Sequence, residues 1–258
     1  MKVNNHTFVI CAYKESPFLE KCVQSLLEQT VQSEIIISTA TPNQHIEDIA
    51  NKYNLQLATH EVAGIGIDWN AGLDLATTKY VTLAHQDDVY TPKYLETCLD
   101  MFNSDPDALI AFTDYLELKN GILLERTRNL KIKRIALAPI KKFPNSKFIR
   151  NRSLSLGNSI CCPAVTYNME RLKGFQFDTK FSSNLDWEAW YRIGKLDGSF
   201  LYSDEPLMYH RIHEESETSN AIQNNKRTLE DREMFQKYWP NFVVNILMKF
   251  YIKSQDTN

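Results

Sequence analysis

The chain has 258 residues, 43% of them hydrophobic and 24% charged, with a formal net charge of −3. These are ordinary globular values, and they exclude wholesale disorder, a fibrous repeat and a chain given over to nucleic acid. No apolar run reaches the roughly 18 residues of a membrane span, and residues 7–13 are too short and too soon followed by charge for a secretory signal, so a cytoplasmic protein is expected.

The first half alternates between strand and helix patterns. Residues 7–12 are a short apolar run. Ser16 as N-cap and Pro17 in the first turn then open a helix on which Leu19, Cys22, Val23, Leu26 and Leu27 recur at helical spacing. Residues 34–38 read as the second strand, followed by a helix with Ile46, Ile49, Ala50 and Tyr53 on one face. A strand at 55–58 and a helix carrying Trp69, Gly72, Leu73 and Ala76 come next. Residues 80–84 form another strand, Thr91-Pro92 open a helix with Leu95, Cys98, Leu99 and Phe102 inward, and 108–113 return as strand. Such alternation predicts an α/β fold, a single domain with a mainly parallel central sheet flanked by helices. Ligands of such sheets sit beyond the carboxyl ends of the strands, which singles out the loops at 13–16, 38–40 and 85–88.

The second half is less regular. Asn120-Gly121 predicts a tight hairpin between strands at 115–119 and 122–125. From Arg126 to Arg152 there are ten basic residues and no acid, read as a loop that closes over substrate or as a patch facing an anionic membrane. Strands are expected at 159–167 and 200–202, a helix at 186–195, and helix again from Ala221. Segment 242–252 is apolar enough for an interface, but a helix docked on the core or on a homodimer partner is the favoured reading.

Eight glycines are too few for glycine-lined phosphate loops, and no Walker motif is present. Gly64-Ile65-Gly66 puts Trp69 where a dinucleotide fold needs its third glycine. Five scattered cysteines without a C-x-x-C spacing give neither a disulfide framework nor a zinc site.

Asp87 and Asp88 end a strand with no cation between Lys79 and Lys93, and adjacent carboxylates of this kind suit either a turn or a hard divalent ion. They belong to a set of segments, from about Phe8 to His213, that resembles the family 2 glycosyltransferases and their glycosyltransferase-A fold. The set comprises residues 8–15 (FVICAYKE), 34–37 (EIII), 70–72 (NAG), 80–90 (YVTLAHQDDVY), 185–188 (LDWE) and 209–213 (YHRIH).

The resemblance implies an inverting enzyme that moves a sugar from a nucleotide diphosphate to an acceptor hydroxyl with Mn²⁺ or Mg²⁺, in surface polysaccharide or glycolipid synthesis. Asp88 and His213 would hold the metal. Ala12, Tyr13, Glu15, Thr39, Asn70 and Asp87 would bind the donor, Tyr13 by packing on the base. Asp186 would be the catalytic base, with Trp187 and Trp190 as an apolar wall and a stacking surface for sugar. The acceptor would be a glycan or a lipid-linked hydroxyl, with no nucleic acid partner. Residues 1–115 would form the nucleotide-sugar half, 116–215 the acceptor and catalytic half, and 216–258 a helical tail.

Three departures stand out. Ser38-Thr39-Ala40 lacks the acid that usually meets uracil, so the base is left open. The usual Asp-x-Asp-Asp reads His85-Gln86-Asp87-Asp88. With no Lys or Arg from Tyr53 to Thr78, another cation must meet the phosphates. A non-catalytic relative that binds nucleotide sugar and a sugar-phosphate nucleotidylyltransferase are the competing readings, though the latter needs a glycine-rich, basic first loop.

Overall fold

In the computed structural model, which describes residues 5–213 and 226–255, strand β1 (His6–Ala12) lies between β2 (Glu34–Thr39) and β4 (Tyr80–His85), parallel to both. The hydrophobic run makes this the centre of the sheet: Phe8, Val9 and Ile10 have no exposed surface. Alternate residues serve opposite faces. Val9 joins a core with Leu83, Trp69 and Leu73, whereas Phe8 and Ile10 join one with Leu19, Val23, Ile46 and Tyr94. Each such side chain contributes about 1.5–3 kcal/mol on burial.

Helices α1 (Leu19–Leu27), α2 (Gln44–Lys52) and α4 (Tyr94–Ser104) supply the second core, and α3 (Ile65–Leu75) the first. β3 (Gln56–Thr59) pairs with β2. Asn43 caps α2 by accepting from the Ile46 N–H. Helix α1 begins later than expected: Ser16 accepts from the Phe18 N–H within a preceding turn, and Leu27 faces solvent.

The sheet order is β3-β2-β1-β4-β8-β6-β9-β5, with β7 beside β6. It is mixed. The block β3-β2-β1-β4 and the pair β6–β9 run parallel, while β5 (Val89–Tyr90), β7 (Ile122–Leu124) and β8 (Val165–Asn168) pair antiparallel. The two strands expected on either side of residue 114 are one, β6 (Ile110–Lys119), closed by a hairpin in which Asn120 and Gly121 both take positive φ. The strand expected over 159–167 is a 3₁₀ turn at Cys162–Ala164 followed by β8. The short strand expected at 200–202 extends as β9 (Phe200–Ile212), whose register against β6 shifts around Asp114, where Pro206 sits.

The basic segment is not a loop. It folds as α5 (Arg128–Lys142) and α6 (Lys147–Leu154), capped by Thr127 and Ser146 through the N–H groups of Leu130 and Ile149. Several of its charges have structural partners. Arg150 is fully buried and donates to the carbonyls of Gly198 and Leu196 while lying over the Phe200 ring. Arg134 pairs with Asp114 at 2.6 Å.

Helix α7 (Leu185–Ile193) is followed after β9 by α8 (Lys226–Tyr238) and α9 (Asn241–Gln255). Met234, Phe235, Val244 and Met248 bury these last two helices against the first core, as the docked-helix reading expected; residues 221–225 lie outside the described residues. Among the described residues no helix is long and apolar enough to cross a membrane. All five cysteines are free, and four are buried.

Candidate active site

The parallel register sets Cys11 beside His85 and Ala12 beside Thr39, so the loops leaving β1, β2 and β4 emerge side by side. Two are clasped together. The Gln86 amide accepts from the Tyr13 N–H and donates to the Tyr13 carbonyl, both at 3.0 Å. Lys14, in the left-handed region at φ 54°, donates its N–H to the Thr41 hydroxyl at 2.6 Å, tying in the β2 loop. The Tyr13 ring and Glu15 are left exposed beside this clasp. The side chains of Ala12 and Thr39 are buried, so the contact expected of them is confined to their main chain. Asn70, expected to contact the donor, is engaged within the fold. Both its amide atoms bond the main chain of Phe177, fixing the segment before α7 onto α3.

The antiparallel pairing of β5 with β9, Val89 opposite Tyr209 and Tyr90 opposite Met208, carries the end of β9 to the acidic pair. Asp88 is fully buried, and its Oδ1 accepts from the Arg211 N–H at 2.9 Å and faces His210 Nδ1 at 3.1 Å. Asp87 Oδ2 meets His213 Nε2 at 2.9 Å, and the Arg211 guanidinium donates to the Asp87 carbonyl.

Burial works against charge on His210, but the Asp88 carboxylate outweighs it and raises the imidazole's affinity for a proton. Burial likewise pushes Asp87 up, yet the hydrogen bond from His213 and the neighbouring imidazoles of His85 and His210 hold its carboxyl below the ordinary range.

His85, which the motif comparison registers only as a missing acid, belongs to the centre. One ligand atom from each of His85, Asp87 and Asp88 lies within 4.8 Å of the others. His85 stacks on Trp69, burial lowers its pKa, and its Nε2 is buried without a hydrogen-bond partner. Asp88 Oδ2 is equally buried and unpartnered. An unpaired carboxylate oxygen is costly to bury. Together with a neutral imidazole and a second carboxylate, it makes a donor set of the kind divalent Mn²⁺ accepts. His213, expected as a metal ligand, stands beside this cluster with its Nε2 on Asp87, and His85 is the histidine that lies among the two carboxylates.

Asp186 stands in the first turn of α7, two residues after the N-cap Asn184. Its Oδ1 accepts from the Trp187 N–H at 2.8 Å and its Oδ2 from the Asn158 amide. Burial raises its pKa, only partly offset by those two hydrogen bonds and by the charges of Lys133 and Arg227. The charge of Asp186 is felt at His85 alongside those of Asp87 and Asp88, so the separate carboxylate and the acidic pair share one neighbourhood.

The start of α7 is held from α8. The Glu230 carboxylate accepts from the N–H groups of Ser182, Ser183 and Asn184 at 2.8, 2.8 and 3.0 Å, and Asn184 donates to Asp231. Gly66 packs closely there too, since a Cβ would come to 2.5 Å from the tip of the Leu185 side chain, which would have to move. Trp187 and Trp190 are fully buried, stacked on Tyr238 and Tyr167, so neither offers a sugar a stacking surface.

The missing cation has a candidate in Lys133. From α5 its ammonium donates to the Tyr115 hydroxyl at 2.9 Å, and its charge is felt at both His210 and Asp186. Nothing local marks it out among ten basic residues in the sequence.

The family model described as Glycosyl transferase family 2 matches residues 7–171. An uncharacterised glycosyltransferase of Rickettsia prowazekii is 23% identical over 246 residues, covering 92% of this chain and 71% of that one. Another from Methanocaldococcus jannaschii is 23% identical over 245 residues, covering 90% and 79%. Among solved structures, S. aureus TarS 1–349 in complex with UDP-GlcNAc superposes with a TM-score of 0.68 at 14% identity, covering 94% of this chain and 70% of TarS 1–349. The mannosyltransferase PcManGT of Pyrobaculum calidifontis, in complex with GDP-Man and Mn²⁺, gives 0.63 at 14%, covering 96% and 69%. At such identities the structural likeness carries the fold, while the family follows from a model match across nearly two-thirds of the chain. The chain belongs to glycosyl transferase family 2, the nucleotide-sugar-dependent glycosyltransferases.

Proposed function

We propose that the protein transfers a sugar, with inversion at the anomeric carbon, from a nucleoside diphosphate to a hydroxyl of a glycan or lipid-linked acceptor in surface polysaccharide or glycolipid synthesis. Asp186 is the base, and Mn²⁺ or Mg²⁺ is held by Asp88 with Asp87 and His85. The observation that carries this reading is the pair of buried, unpartnered ligand atoms, Asp88 Oδ2 and His85 Nε2, close enough to Asp186 for its charge to be felt at His85. A second support is that one fold neighbour is in complex with GDP-Man and Mn²⁺.

Asp186 accepts the acceptor's hydroxyl proton as the oxygen attacks the anomeric carbon, and the bond to the nucleoside diphosphate breaks on the opposite side. A divalent ion, when bound, acts as a Lewis acid on the diphosphate, whose charge grows as it departs. Lys133 adds a fixed positive charge on the same side of the site. The Tyr13 ring packs on the nucleobase, with Glu15 in the same loop. In this reading residues 1–115 are the donor half and 116–215 the acceptor half, with the tail after 216 bracing α7 through Glu230.

A thermal-shift panel of UDP- and GDP-sugars with and without Mn²⁺ tests it, because a ligand that binds only the folded chain raises its melting temperature by mass action. The expected result is metal-dependent stabilisation by one donor, with slow release of the nucleoside diphosphate. No stabilisation by any nucleotide sugar ends the reading. Lys133→Met is expected to lower kcat/KM for that donor roughly 10- to 100-fold, the range of a lost charge-assisted hydrogen bond. Tyr115→Phe, which keeps the ammonium, costs much less. Steady-state kinetics on the two variants distinguish the charge from its anchor.

A further inference from the structure

Helix α5 is apolar on two faces. Inward, Leu130, Leu137 and Ile140 are buried. Outward, Arg128, Lys131, Ile132, Ile135 and Lys142 fall within an arc of about 100° at helical spacing. Ile132 and Ile135 are 57% and 74% exposed, and Phe148, at the start of α6, is 71% exposed. Isolated surface isoleucines are unremarkable, but these two lie in a row with cations on the solvent side of a helix whose core face is already complete.

The charge around them is one-sided. Within the acid-free segment 126–152, Arg134, Lys141 and Lys147 pair with Asp114, Asp204 and Asp197, Arg150 is buried, and Lys133 turns toward the active site. Arg152 donates to the Asn151 side chain and lies over the Trp239 ring; Arg126, just before the helix, and Arg128, Lys131 and Lys142 on its outer arc remain, exposed and without a carboxylate partner among the described residues.

We propose that the outer face of α5 is a docking surface for an anionic phospholipid bilayer, on which the helix lies in the plane of the interface. Lipid headgroups neutralise Arg128, Lys131 and Lys142 while Ile132 and Ile135 enter the boundary with the acyl chains, the pattern of an interfacial amphipathic helix. A second copy of the chain meets this face with the same positive charge, and a nucleic acid backbone uses the cations but not the isoleucines. Because α5 also carries Lys133, whose charge is felt at Asp186, docking by this face places the lipid surface across α5 from the reaction centre. The docking does not depend on sugar transfer.

Co-flotation of the full chain with phosphatidylcholine vesicles, with and without phosphatidylglycerol, tests the proposal. Binding is expected only to the phosphatidylglycerol vesicles and is weakened by salt. Arg128→Gln or Lys131→Gln should each weaken it about fivefold. The Ile132→Ser/Ile135→Ser double variant should lose tenfold or more at unchanged melting temperature and unchanged release of nucleoside diphosphate from a soluble donor. Equal binding to neutral vesicles, or none to either, overturns the proposal. So does tight binding of an oligonucleotide that survives the serine substitutions, or a dimer that those substitutions dissociate.

Discussion

Asp186→Asn is expected to slow sugar transfer by roughly 10²- to 10⁴-fold while nucleotide-sugar binding persists, because the substitution removes the proton acceptor and little else. The two hydrogen bonds that hold the side chain survive it. The Trp187 N–H still meets Oδ1. The new amide is matched by a flip of Asn158, whose own Oδ1 is buried and unpartnered. The sign of the pH effect follows from burial, which raises the Asp186 pKa. The base is ionised only above that raised value, so kcat/KM falls as pH drops through a limb lying above the ordinary carboxylate value of about 4. In Asp186→Asn the residual rate shows no such limb. A variant that transfers sugar at the wild-type rate removes Asp186 as the base.

The contrast between what was legible in the sequence and what was not follows the range of the forces involved. β1, β2 and β4 are readable because each is buried on both faces and is apolar along its middle, and the hairpin at Asn120-Gly121 is readable because two adjacent positive φ angles favour those residues. The acidic pair is readable because its place at a strand end is fixed by that same burial. β9 is hidden by Ser203-Asp204-Glu205-Pro206, a polar stretch that reads as a turn but marks the register shift against β6.

Pairings over long sequence distances leave no local trace. His210 meets Asp88 and Glu230 holds the approach to α7 only because the topology brings them together. The basic segment looks unbalanced in one dimension, yet Asp114, Asp197 and Asp204 neutralise part of it in three. Trp187 and Trp190 show the converse error. Aromatics beside a candidate catalytic carboxylate invite a sugar-stacking role, whereas two core layers, one from the sheet and one from α8, enclose them.

The second large effect belongs to Asp88. Asp88→Asn keeps Oδ1 for the Arg211 N–H and the His210 contact, so the fold is expected to survive despite complete burial of the site. The position of the unpartnered Oδ2 becomes an amide that repels a cation. Metal-dependent stabilisation by the donor should vanish, and transfer should fall roughly 10²- to 10³-fold, the worth of several kcal/mol of leaving-group stabilisation. Chelating the metal from the wild-type enzyme should produce the same loss, and chelation should take nothing further from Asp88→Asn, since the two perturbations remove one interaction. His210 supplies an independent check by NMR: without the carboxylate that raises its pKa, it should release its proton at a lower pH in the variant. If Asp88→Asn instead keeps its Mn²⁺-dependent thermal shift while His210 moves as expected, the carboxylate only orients β9 and the cation is held elsewhere.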